Sequence, residues 1–173
     1  MGDVKAISEE LIASIARWER ELQEACGMRS TLWFGIMQKC CDSLERLLKG
    51  CLEIFLPYVE VTCSELVWSI AEGKPPERLT LGQRVSMLVA LDHELTRRLR
   101  QDYPQFKIEA RLIGRRTKKL LERISRARND FEHARLEHDS HVERAMELLS
   151  LTQQLCQSEL VKTAGEIEKS SKG

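Results

Sequence analysis

The segment Thr80-Leu81-Gly82-Gln83-Arg84-Val85-Ser86-Met87-Leu88-Val89-Ala90-Leu91-Asp92-His93-Glu94-Leu95 decides the fold class. Its opening reads as a capping box. The Thr80 hydroxyl accepts from an early helical N–H that has no carbonyl partner, and the Gln83 side chain reaches back to the N–H of Thr80. Behind it Leu81, Val85, Leu88, Leu91 and Leu95 recur every three or four residues, which lines up one face of an α-helix. A half-buried strand would alternate apolar and polar residues, and this segment does not. The spacing predicts a helix reaching about Arg100.

The same period extends outward in both directions. Upstream, Val4, Ile7, Leu11, Ile15, Trp18 and Leu22 predict a first helix that stops near Gly27. A second is expected from about Ser30 through Ile36, Cys40, Leu44, Leu47 and Cys51 toward Pro57, and a short third from Tyr58 to Ala71. Gly73-Lys74-Pro75-Pro76 is the strongest breaker in the chain and reads as a loop. Downstream, Tyr103-Pro104 interrupts the pattern before a long helix expected from about Lys107. A last helix is expected from about His141 to Ile167. The expectation is an all-α fold, an up-and-down bundle of about five helices. It forms a single domain over residues 1–168, with residues 169–173 as a frayed tail.

Composition narrows the class further. Of 173 residues, 42% are hydrophobic and 31% charged, the balance of a globular protein with a sizeable core. Nothing at the N-terminus reads as a signal peptide and no apolar run is long enough to span a bilayer, so the expected location is the cytoplasm. Cys26, Cys40, Cys41, Cys51, Cys63 and Cys156 lack the paired spacing of a zinc ribbon or a redox dithiol and read as small buried hydrophobes. Net charge is zero but unevenly spread. Between Arg97 and Arg135 there are 13 Lys or Arg against 5 Asp or Glu, which suggests a basic surface for nucleic acid.

Within that basic region lies Arg128-Asn129-Asp130-Phe131-Glu132-His133. It gathers a permanent cation, an amide (the only asparagine of the chain) and an imidazole that titrates near neutrality. With Leu120 set at zero and about 100° per residue, Leu120, Ile124, Ala127, Phe131 and Ala134 fall within about 40° of zero and form the core stripe. Asn129 and His133 fall near 180° and 220°, facing away from it, on the side that also holds Arg111, Arg115, Lys118 and Arg126. A histidine buried for packing would share the stripe with Leu120 and Phe131. Arg128 falls near 80°, about 140° from His133, so a straight helix in one subunit separates the two groups. Either the helix bends or a second subunit completes the site.

The Arg-Asn-x-x-x-His arrangement resembles the signature of the HEPN superfamily, small all-helical proteins that include many prokaryotic RNA-cutting toxins. The Leu79-Thr80-Leu81-Gly82-Gln83 opening is also similar to helix openings in phage-defence proteins of that type. The resemblance implies a metal-independent endoribonuclease without a cofactor. In such an enzyme the RNA 2′-hydroxyl attacks the adjacent phosphate and leaves a 2′,3′-cyclic phosphate and a 5′-hydroxyl. His133 would move the proton, Arg128 would stabilise the charge developing on phosphorus-bound oxygens, and Asn129 would orient phosphate or imidazole. Arg126 and Arg135 would hold flanking phosphates, and Arg115, Arg116, Lys118 and Lys119 would extend the RNA track. The resemblance further implies a homodimer with two motifs paired across a two-fold axis, a role as toxin or phage-defence effector, and an antitoxin or defence-complex partner. Some such toxins carry a tyrosine two residues after the histidine, where an antitoxin modifies them; here that position is Arg135.

Two other readings compete. A non-catalytic HEPN-like module would bind RNA or protein through the same surface, and Asp130 and Glu132 place negative charge beside the phosphate site in its favour. A metal site from His133, Glu137, His138 and His141 is disfavoured, because Asp139-Ser140 reads as a loop that breaks the helical geometry. His93, beside Asp92 and Glu94, reads as a surface residue of its helix.

Overall fold

The computed structural model describes residues 3–24, 30–108, 111–132 and 141–173. Among the described residues there are seven α-helices: α1 (Val4–Glu24), α2 (Ser30–Val59), α3 (Ser64–Ala71), α4 (Leu81–Asp102), α5 (Arg115–Glu132), α6 (His141–Cys156) and α7 (Glu159–Lys172). Short 3₁₀ turns at Pro76–Arg78 and Pro104–Phe106 flank α4. No strand occurs among the described residues, so the all-α expectation holds. The number of helices is larger than the expected five, for reasons that are local.

The helix α2 forms the spine. It packs against α1, α4, α6 and α7, while α5 lies on α4 and α6, and α3 lies on α4. The predicted faces are the buried ones. Val4, Ile7, Leu11, Ile15, Trp18 and Leu22 of α1 are buried, as are Leu81, Val85, Leu88, Leu91 and Leu95 of α4. Each fully buried leucine or isoleucine contributes about 1.5–3 kcal/mol relative to exposure, so this shared apolar interior is the main source of stability.

Polar groups fix where helices start. At α4 the box is complete: Gln83 N donates to Thr80 Oγ1 at 3.2 Å, and Thr80 N donates to Gln83 Oε1 at 3.1 Å. Gln83 Nε2 also donates to the Ile70 carbonyl at 3.2 Å, tying α3 to α4. At α1 the N–H of Val4 donates to Glu168 Oε2 at 2.8 Å. A buried carboxylate from the far end of the chain thus satisfies an orphan donor and sits favourably at the positive end of the helix dipole.

Four boundaries differ from expectation. Tyr58 belongs to α2, which runs through Pro57 to Val59, and α3 begins only at Ser64. Pro57 costs α2 one backbone bond in its last turn, too close to the end to stop it earlier. The helix expected from Lys107 starts at Arg115: Lys107 takes a left-handed conformation (φ 46°) after the 3₁₀ turn, and Leu112-Ile113 form a turn. Arg111 therefore leaves the helical wheel on which the sequence places it. The last predicted helix is two, α6 and α7, separated at Gln157-Ser158. Ser158 is extended (φ −74°, ψ 156°), and its hydroxyl donates to the Leu155 carbonyl at 2.6 Å. Lastly, α7 continues to Lys172 over the stretch expected to fray, and Lys172 Nζ lies 3.2 Å from Glu168 Oε1.

Candidate active site

From Arg115 to Phe131, α5 follows the predicted wheel. Leu120, Ile124 and Phe131 are buried and Ala127 is partly buried, while Arg115, Lys118, Arg126 and Asn129 are exposed. Leu121, about 100° round from Leu120, is fully buried as well, so the core-facing arc is wider on that flank than the stripe alone indicates. Arg128 lies on this flank.

Its environment follows. The Arg128 side chain is only 18% exposed, and its Nη2 lies 2.7 Å from Glu45 Oε1 on α2. A planar guanidinium held by a carboxylate has a set orientation, and a charge-assisted bond of this length is among the stronger polar contacts available. Glu45 is shared. Arg84 of α4, itself buried, feels the charges of Glu45 and Glu53, which oppose the lowering of its pKa by burial. Its Nη2 donates to the Glu77 carbonyl at 3.4 Å, whereas its buried Nε has no hydrogen-bond partner. Glu45 thus pairs directly with Arg128 and acts on Arg84 only through its charge.

The neighbours of Arg128 limit the chemistry. Cys41 lies close enough to feel Arg128, but burial first, and then Cys40, pushes its thiol up to about 12. It remains a thiol at neutral pH and is no candidate nucleophile. Phe131 packs edge-on against Trp33 at 6.1 Å between ring centroids and against Phe34 at 5.1 Å. Phe34 is 52% exposed, so an apolar surface adjoins the motif.

The remaining sequence candidates divide clearly. Arg115, Arg116, Lys118, Lys119 and Arg126 are exposed along α5; Lys118 stands 4.0 Å from Glu122. Asn129 is exposed and directed about 100° from Arg128. His133 and Arg135 lie outside the described residues, as do most members of the disfavoured metal set. Among the described residues no group of three or more His, Cys, Asp and Glu could hold a metal ion. Glu45 was not legible as a partner of the motif, because no local spacing links it to a residue 83 positions away.

No described helix is long and apolar enough to cross a membrane. Neither protein-family models, nor curated proteins, nor solved structures give a match to this chain.

Proposed function

We propose that the chain is a metal-independent endoribonuclease of the HEPN type. The observation that carries this reading is the setting of Arg128. It is a half-buried guanidinium, oriented by Glu45, and it directly precedes an exposed Asn129 on a helix whose outer side is basic. A preorganised cation is what an RNA phosphate needs as it gains negative charge in the transition state. The attacking 2′-hydroxyl belongs to the substrate, so the protein has only to move protons and stabilise charge.

In this mechanism His133 takes the proton from the 2′-hydroxyl or delivers one to the leaving 5′-oxygen. Arg128 stabilises the phosphorane oxygens, and Asn129 positions phosphate or imidazole through its amide. Arg126, Arg135 and the Arg115, Arg116, Lys118 and Lys119 stretch hold the strand by its phosphates. A homodimer resolves the angular separation of Arg128 and His133, and the exposed Phe34 beside Phe131 supplies apolar surface next to the motif. A toxin or phage-defence role with an antitoxin or defence-complex partner rests on the resemblance of the motif alone.

A second reading is favoured by the same ion pair. If Glu45 fully neutralises Arg128, the arginine ties α5 to α2 and the protein is a non-catalytic RNA- or protein-binding module. The two differ on substrate chemistry. The nuclease cleaves a single-stranded RNA but not the same strand with 2′-deoxyribose throughout, while the module cleaves neither. Cleavage of both strands contradicts 2′-hydroxyl attack.

A further inference from the structure

The turn that precedes α5 is bolted to α4 by two buried polar side chains. Asp92 Oδ1 accepts the Ile113 N–H at 2.8 Å and the Thr96 hydroxyl at 3.2 Å. Thr96 Oγ1 accepts the Leu112 N–H at 3.1 Å. Both side chains are buried, so releasing the turn would strand polar groups in the interior. Arg111 leads into this turn with Nη1 3.6 Å from Asp92 Oδ2, and more than half of its side chain is exposed. Its position is therefore built by the fold.

Facing Arg111 from α4 are His93, Arg97 and Arg100, spaced at four and three residues on one side of the helix. With Thr96 and Gln101 they line an open groove of about 620 Å³. Among the described residues, the carboxylates paired with the groove arginines are Asp92, beneath Arg111, and Glu94, which pairs with Arg97 and also with Arg98. Three arginines line the groove and, among the described residues, no carboxylate does, and Arg100 is steadied by donating from Nε to the Ile108 carbonyl at 2.8 Å. None of these residues belongs to the candidate active site. From Arg115 to Arg128 α5 rises about 20 Å, so one phosphate cannot touch both places.

We infer that this groove is a phosphate-binding site for a nucleic-acid strand, a second anchor that holds backbone remote from the phosphate at Arg128. An open, arginine-lined groove beside the turn that leads into α5, where Arg115, Lys118 and Lys119 are exposed, suits a passing strand better than an enclosed small ligand. The choice of RNA as the strand rests on the proposed function; the phosphate chemistry of the groove does not.

The test is fluorescence anisotropy with a labelled, single-stranded 2′-O-methyl RNA oligonucleotide, which 2′-hydroxyl attack cannot cleave, titrated at several salt concentrations. Arg111→Gln and Arg97→Gln are compared with wild type, with thermal melts confirming that each is folded; Arg97, half exposed and paired with Glu94 on its own helix, serves if Arg111→Gln is unstable. Each substitution is expected to weaken binding several-fold and to reduce the slope of log K against log salt by about 0.7. Unchanged affinity and slope in both folded variants overturn the groove. Saturation by a mononucleotide as tight as by the oligonucleotide also overturns it, as a strand site. If the slope falls but the wild type cleaves no unmodified RNA, the groove stands and the nuclease reading fails.

Discussion

Glu45 on α2 and Arg128 on α5 meet at 2.7 Å across 83 residues of sequence, and the pair lies beside the one segment that carries the motif. The carboxylate ties two helices together and orients the group that the proposed nuclease mechanism uses to stabilise transition-state charge. Those roles separate experimentally. Glu45→Gln keeps the shape and removes the charge. With Glu45 about one-third exposed and Arg128 less so, the pair is expected to contribute about 1 kcal/mol in a double-mutant cycle with Arg128→Ala, read by urea unfolding. On the nuclease reading Glu45→Gln also lowers kcat while leaving KM nearly unchanged, since a misoriented guanidinium fails mainly in the transition state. A stability loss with no change in cleavage would make the pair purely structural.

Thr80→Ala removes one half of the α4 capping box. The Gln83 N–H loses its acceptor at the start of the helix, and the expected cost is about 1 kcal/mol in chemical denaturation. Because this end of α4 carries no residue assigned to RNA, affinity for RNA is expected to stay at the wild-type value. A loss of RNA binding in the folded variant would show that the α3–α4 junction takes part in recognition.

The buried thiols give the fold an alkaline limit. Burial is the first cause that pushes Cys40 up to about 11 and Cys41, Cys51 and Cys156 up to about 12. In the unfolded chain they ionise near their ordinary value, about 8.5. Above that pH the unfolded chain binds fewer protons than the folded one, so stability falls as pH rises from about 9 toward 11, while below about 8 this contribution is fully present. Urea midpoints measured between pH 7.5 and 10.5 are expected to decline, and Cys51→Ala is expected to flatten part of the decline. Midpoints independent of pH over that range contradict the assignment.

The proposed homodimer makes a distinctive kinetic prediction. If each site takes Arg128 from one subunit and His133 from the other, Arg128→Ala and His133→Ala are each inactive alone. Mixed and allowed to exchange, they form heterodimers with one intact site, and about a quarter of wild-type activity returns. Activity that stays at zero after verified exchange requires both groups to come from the same subunit.

Much of the architecture was legible because it rests on local rules. The Thr80-Gln83 box, the face of α4, the face of α1 and the break at Gly73-Pro76 all stand where period and capping place them. Boundaries set by tertiary contacts were not legible. Gln157-Ser158 contains neither glycine nor proline, so nothing in the pattern announced the division of α6 from α7. The residues after Lys107 keep a helix-compatible composition, yet Asp92 and Thr96 take their N–H groups into a turn instead. The same distinction applies to the site. Exposure of Asn129 and the outer cations followed from the wheel, whereas the pairing of Arg128 with Glu45 depends on tertiary structure that brings a residue of α2 near α5.

The most direct test of the central claim is cleavage of a single-stranded RNA in EDTA, with product ends mapped, for wild type, His133→Ala and Arg128→Ala. Cleavage by the wild type alone, leaving 2′,3′-cyclic phosphate and 5′-hydroxyl ends, is the predicted result. Cleavage that persists in a folded His133→Ala protein, or that vanishes from the wild type when EDTA is added, would contradict it.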